Sequence, residues 1–119
     1  MAQPNIVNVT SILGTSVVTV LTTTLTTTIV TAAADKVNKM NLIRCTNITD
    51  NDATVDFDVE VGGTHKKIAN EVTVPANSVV DIVDKTSSFY LMETDLLRGG
   101  ASAGSAIDVL VSFEILDDA

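Results

Sequence analysis

The sequence predicts an all-β protein, a two-sheet β-sandwich of about eight antiparallel strands in jelly-roll or immunoglobulin-like order, and three observations predict it. Helical periodicity is almost absent, whereas period-2 alternation recurs between turn residues at short intervals. Hydrophobic residues make up 45% of the chain and aromatic ones only 3%, so Val, Ile, Leu and Ala fill the core, and the β-branched ones suit a pleated surface. Thr is abundant in the runs Thr22-Thr23-Thr24 and Thr26-Thr27-Thr28 and shares that preference. At 119 residues the chain has the size of one domain with one core, so residues 1–119 are read as a single domain. A small barrel is the alternative architecture.

A first strand is expected over residues 6–13, ended by Gly14. Residues 16–33 are long enough for two strands or one bent strand, with the break within 22–26, and 32–35 form a loop or a single helical turn. A strand over 36–48 is closed by the turn-rich Thr49-Asp50-Asn51-Asp52. The clearest unit follows, because Val55, Phe57, Val59 and Val61 alternate with Asp56, Asp58 and Glu60 and run into Gly62-Gly63. A two-residue primed turn at the glycines sets Val61 opposite Thr64, Glu60 opposite His65, Val59 opposite Lys66, Asp58 opposite Lys67 and Phe57 opposite Ile68. Such pairs contribute about 0.2 to 1 kcal/mol each. Lys66 falls on the core side, which requires that this end of the hairpin reach solvent so that the side chain can snorkel.

Residues 71–74 form a short strand stopped by Pro75, which cannot donate to a ladder. Apolar residues on both sides of 78–83 predict a central strand covered on both faces. A turn at 84–88, a strand at 89–92 and a turn at 93–95 lead to 96–101, where Arg98-Gly99-Gly100 reads as a bend and 99–105 as a mobile loop of small residues. The last strand, 107–116, puts Ile107, Val109, Val111, Phe113 and Ile115 on the core face. Its other face is half apolar, so part of it is expected to be covered by a neighbouring element or another subunit.

Seven basic against fifteen acidic residues leave a net charge of −8. Nucleic acid and anionic membranes are disfavoured as partners, because both are bound through Lys and Arg. Cys45 is the only cysteine, so no intrachain disulfide forms, and a small buried hydrophobe on a strand is expected there. The N-terminus lacks the basic region of a secretory signal. The stretch before Asp35, the first charged residue, carries too many Thr, Ser and Asn residues for a membrane span.

No catalytic, cofactor-binding or metal-ligating residue is assigned. His65, the only histidine, reads as an exposed hairpin-tip residue without the partner a general base needs. Asp56, Asp58 and Glu60 share a strand face, but carbohydrate chemistry usually adds an aromatic platform that this chain lacks. Asp50-Asn51-Asp52 offers oxygen ligands without the spacing or closing Glu of an EF-hand. The sequons Asn8-Val9-Thr10 and Asn47-Ile48-Thr49 are too short to carry weight.

The uncharged first third is the stronger signal. Monomer edge strands normally carry blocking charges, yet residues 6–34 carry none, so these strands are either interior or covered by another chain. Interface residues are therefore expected at Ile6, Val7 and Val9, within an N-terminal arm of about residues 1–10, and at Leu110 and Leu116 on the outer face of the last strand.

Three blocks carry a family resemblance: Pro4-Asn5-Ile6-Val7-Asn8-Val9-Thr10-Ser11-Ile12-Leu13-Gly14, Val72-Thr73-Val74-Pro75-Ala76 and Phe89-Tyr90-Leu91-Met92-Glu93-Thr94-Asp95-Leu96-Leu97-Arg98. Together they resemble small all-β virion structural proteins of marine tailed bacteriophages, of the decoration or cement type found in cyanophages. The resemblance implies a non-enzymatic virion component, assembled in the host bacterial cytoplasm and homo-oligomeric, with a trimer favoured. Its implied partner is the major capsid protein or another virion protein. A neck, tail or fibre-attachment protein is the alternative within the virion. A carbohydrate- or calcium-binding adhesive module using loops 50–53 and 99–105 is the alternative outside it.

Overall fold

A computed structural model describes residues 11–25 and 27–117. Among them, nine strands form two antiparallel sheets. The strands are β1 (Ser11–Val20), β2 (Thr27–Thr31), β3 (Lys36–Asn47), β4 (Ala53–Val61), β5 (Thr64–Val74), β6 (Val79–Val83), β7 (Phe89–Leu91), β8 (Leu96–Ala101) and β9 (Ile107–Asp117), with one 3-10 turn at Lys85–Ser87. That turn is held by Asp84, whose carboxylate accepts from the Thr86 N–H at 2.9 Å and whose own N–H donates to Ser87 Oγ at 3.0 Å.

Sheet A runs β1-β9-β3-β6, with β7 also on β3, and sheet B runs β2-β8-β4-β5. The pairs are nested: β1 with β9, β2 with β8, β3 with β6 and β7, β4 with β5. This is one long antiparallel hairpin folded over on itself, with most connections crossing between the sheets. Of the two orders expected for the sandwich, it is the jelly roll. Between the sheets Leu21, Met40, Ile43, Phe57, Leu91, Leu97, Ile107 and Val111 lose all contact with solvent, each worth about 1.5–3 kcal/mol if large and aliphatic or aromatic.

The hairpin at Gly62-Gly63 forms as its alternation predicts. Both glycines have positive φ, 59° and 83°, as a primed turn requires. The pairs from Val61 with Thr64 to Asp58 with Lys67 are those expected, but Phe57 faces Ala69. An extra residue, Ile68, bulges from the ladder, and Glu71 at φ 50° kinks the same strand. Residues 64–74 are thus one long irregular strand rather than two short ones.

Four other expectations are corrected. The first described strand passes straight through Gly14 and ends at Val20, because nothing at Gly14 calls for a turn. The strand at 79–83 lies at an edge, where β6 and β7 share the margin of β3, and Val79 is exposed. The backbone of Arg98-Gly99-Gly100 is extended inside β8, between β2 and β4. Its glycines serve close packing: a Cβ on Gly99 would sit 2.8 Å from Phe57 Cε1, and one on Gly100 would sit 2.9 Å from the Thr24 carbonyl oxygen. The loop expected over 99–105 shrinks to the turn after Ala101.

Candidate interaction surface

β1 and β2, the two strands of the uncharged first third, occupy the edges of the two sheets. Their neutrality is therefore not that of interior strands. β1 pairs with β9 over its whole length without a register break, from Ser11 opposite Asp117 to Val20 opposite Asp108. Among the described residues no strand pairs with its other side, which leaves a row of backbone donors and acceptors along a regular edge.

The side chains of that edge are apolar on both faces. Val18 is 75% exposed, Ile12 62% and Leu13 61%, with Val20 also exposed. Strand alternation puts Ile12, Gly14, Ser16, Val18 and Val20 on the outer face of sheet A and Leu13, Thr15, Val17 and Thr19 on the inner side. The register extends the outer face across Leu110 and Asp108 of β9, Arg44 and Thr46 of β3, and Val79 and Asp81 of β6. Here Val18, Thr19, Thr46, Asp108, Val109 and Leu110 line a shallow, mostly apolar hollow of about 360 Å³. Arg44 and Asp81 neutralise each other beside it, with Nε to Oδ1 at 2.7 Å, and this contact holds the guanidinium above its usual pKa.

Of the five interface residues expected, Leu110 lies half-buried on this face. Leu116 is buried, between Ile12 on one side and Val37 on the other. On this half-apolar face, cover by neighbouring strands is what the described residues show for Leu116. Ile6, Val7 and Val9 lie outside the described residues. Ile12, Leu13, Val18 and Val20 are the exposed residues the sequence reading missed. The missing charge before Asp35 was the available signal, but ending the first strand at Gly14 hid their common edge.

Sheet B presents a contrasting charged face. Arg98 clamps the buried Asp58 carboxylate, with Nε to Oδ1 at 2.9 Å and the second nitrogen to Oδ2 at 2.5 Å, and the carboxylate raises the guanidinium pKa. His65 stands 3.4 Å from Glu60 and 3.8 Å from Asp58, and Lys67 stands 3.5 Å from Asp56. Asp56 also accepts from the Glu71 N–H. The Asp58–Lys67 neighbours in the ladder thus find different ionic partners, because Arg98 reaches Asp58 from β8. This arrangement is a ladder of mutually committed ion pairs.

The other sequence candidates are also committed to local structure. Asp50 accepts from Asn77 Nδ2 at 2.9 Å and Asp52 from the Ala76 N–H at 2.9 Å, closing one end of the sandwich. No three His, Cys, Asp or Glu side chains among the described residues are placed to hold a metal ion. Asn47 of the second sequon is buried: its Nδ2 donates to the Asn51 and Val74 carbonyls at 2.8 and 3.0 Å, and its Oδ1 accepts from Thr49. Cys45 is buried on β3, as expected for a small apolar residue, and desolvation, with Asp81 adding to it, pushes its thiol up to about 12. No family model matches the chain, and no curated protein matches it.

Proposed function

We propose that this chain is a non-enzymatic structural protein of a tailed-bacteriophage virion, assembled in the bacterial cytoplasm, that decorates the shell by binding the major capsid protein. The observation that carries the binding role is the outer face of sheet A, where Ile12, Val18, Val20 and Val79 are exposed on a chain of net charge −8. Exposed apolar residues gathered on one face mark contact surfaces. The resemblance of the three sequence blocks supplies the virion context. The jelly roll is compatible with it, since capsid domains use that order, but lectin domains and cupins do too.

A decoration protein stabilises a shell by contacts that exist only in the assembled state. Purified protein is expected to co-sediment with expanded capsids and raise their melting temperature. Val79→Lys, a change at an exposed β6 position, is expected to abolish both effects without changing the mass of the free protein. Shells that neither bind the protein nor gain stability would overturn the reading. Low copy number in the particle, far below that of the capsid protein, would move it to the neck, tail or fibre attachment.

A further inference from the structure

We infer that the edge of β1 that no described strand pairs pairs with β1 of a second copy, antiparallel about a two-fold axis through Thr15, so that sheet A runs continuously through a dimer. The inference concerns the edge of sheet A and stands whether or not its outer face binds a capsid.

An open strand edge specifies its occupant's chemistry, because only another extended backbone satisfies a row of alternating N–H and C=O groups. The edge is long and regular, ten residues with no register break. Three features favour a second copy over a foreign strand. First, the chain carries −8 overall and Ser11–Val20 carries nothing, so β1 brings two acidic molecules together without opposing charges in the new ladder. Second, β1 complements itself. A two-fold pair must put same-face residues opposite each other, and centring it on Thr15 sets Ile12 against Val18 on the outer face and Leu13 against Val17 on the inner one. Each exposed apolar residue from Ile12 to Val18 then meets an apolar residue, and Gly14 meets Ser16. Third, Gly14 has no heavy atom within 4 Å of where its Cβ would stand, so the centre is open to an approaching chain.

The hollow bounded by Val18 and Leu110 begins on β1 itself, beside this seam. Pairing joins the two copies' outer faces into one surface with a two-fold axis, in place of the trimer that the resemblance implies.

Light scattering on the intact chain tests the idea. The expected mass is twice the 12.5 kDa of one chain. Leu13→Lys alters an exposed residue off the outer face and places a blocking charge on the edge, so it is expected to halve that mass while the circular dichroism stays unchanged. Thr15→Cys is expected to form a covalent dimer on mild oxidation, since directly opposed Cα atoms lie about 4.5–5.5 Å apart, within disulfide reach. Thr19→Cys is expected to remain unlinked, its symmetry mate being far along the ladder. A wild-type monomer at every concentration overturns the inference. So does a trimer, an oligomer indifferent to Leu13→Lys, or cross-linking at Thr19 without cross-linking at Thr15. If deletion of residues 1–10 turns such a monomer into a dimer, the edge belongs to the chain's own N-terminal segment and the inference fails for the intact protein.

Discussion

β1 ends sheet A and β5 ends sheet B, at lengths of ten and eleven residues, yet the two edges are finished in opposite ways. β5 carries His65, Lys66, Lys67 and Glu71, bulges at Ile68, and kinks at Glu71 with φ 50°. β1 has no charge, no bulge and no residue of positive φ. Charges and bulges are the means by which strand edges avoid strangers. One molecule that protects one long edge and leaves another bare distinguishes a surface kept free from a surface meant for use.

The largest effect should come from making β5 resemble β1. Lys66 is the critical residue: it falls on the core-side parity of the strand but is exposed, an inward-pointing charge at a rim. Lys66→Val with Lys67→Val removes the cationic block and the Lys67–Asp56 contact. If β1 already closes a two-fold pair, a second self-pairing edge turns a closed dimer into an open chain of molecules. Light scattering should show growth far beyond the wild-type mass at equal concentration. A double variant that keeps that mass would mean that the kink at Glu71 protects β5 without its charges.

Next in size is a change beneath β5. Phe57 is fully buried opposite Ala69 and under Gly99, and Phe57→Ala should cost about 3–5 kcal/mol, read as a lower denaturant midpoint. Because β1 belongs to the other sheet, the oligomeric mass below the unfolding transition should be unchanged. Loss of the oligomer along with stability would tie the bare edge to the packing of sheet B.

The uneven legibility of the two edges has a physical cause. The hairpin of β4 and β5 was readable because strict alternation and two consecutive glycines fix both face and register, and it failed only at Ile68, where a bulge shifts the pairing. Glycine misleads elsewhere: in sequence Gly14 reads as a strand end, and Gly99 and Gly100 as a bend. A glycine that admits a close neighbour looks in sequence like one that turns the chain, and only the approach of Phe57 and Thr24 separates them. Residues 79–83, apolar on both sides, read as central because hydropathy cannot tell burial by a second sheet from exposure at an edge. Leu116 keeps the outer parity of its strand, and its burial depends on the neighbours Ile12 and Val37, which its own strand does not reveal. The ionic partner of Asp58 was equally out of reach, since Arg98 lies 40 positions along the chain.

A smaller effect should follow at the anchor between β3 and β5. Asn47 ties the end of β3 to the Val74 carbonyl at 3.0 Å and to Asn51 at 2.8 Å. Asn47→Ala leaves those groups unmet in a buried site and should cost about 1–3 kcal/mol in chemical denaturation. Hydrogen exchange should speed near Val74 while the amides of β1 stay as they were. Equal acceleration at both edges would argue that they do not behave as separate units.

The smallest effect concerns Cys45 and gives the Thr15→Cys experiment its internal control. Burial, reinforced by Asp81, raises the folded-state thiol from 9.0 to about 12. The folded chain therefore keeps its proton where the unfolded chain has lost it, so this contribution is fully present below about pH 9 and declines as pH rises towards about 12. The wild type should lose stability across that window more steeply than Cys45→Ala, as measured by denaturant midpoints at matched pH. At neutral pH Cys45 stays protonated and buried, so a thiol reagent should label native wild type slowly and Thr15→Cys fast. Dimerisation should then slow labelling at position 15 alone, in proportion to the fraction of chains paired. A position 15 thiol that labels at the same rate in dilute and concentrated protein would show that the edge of β1 stays open.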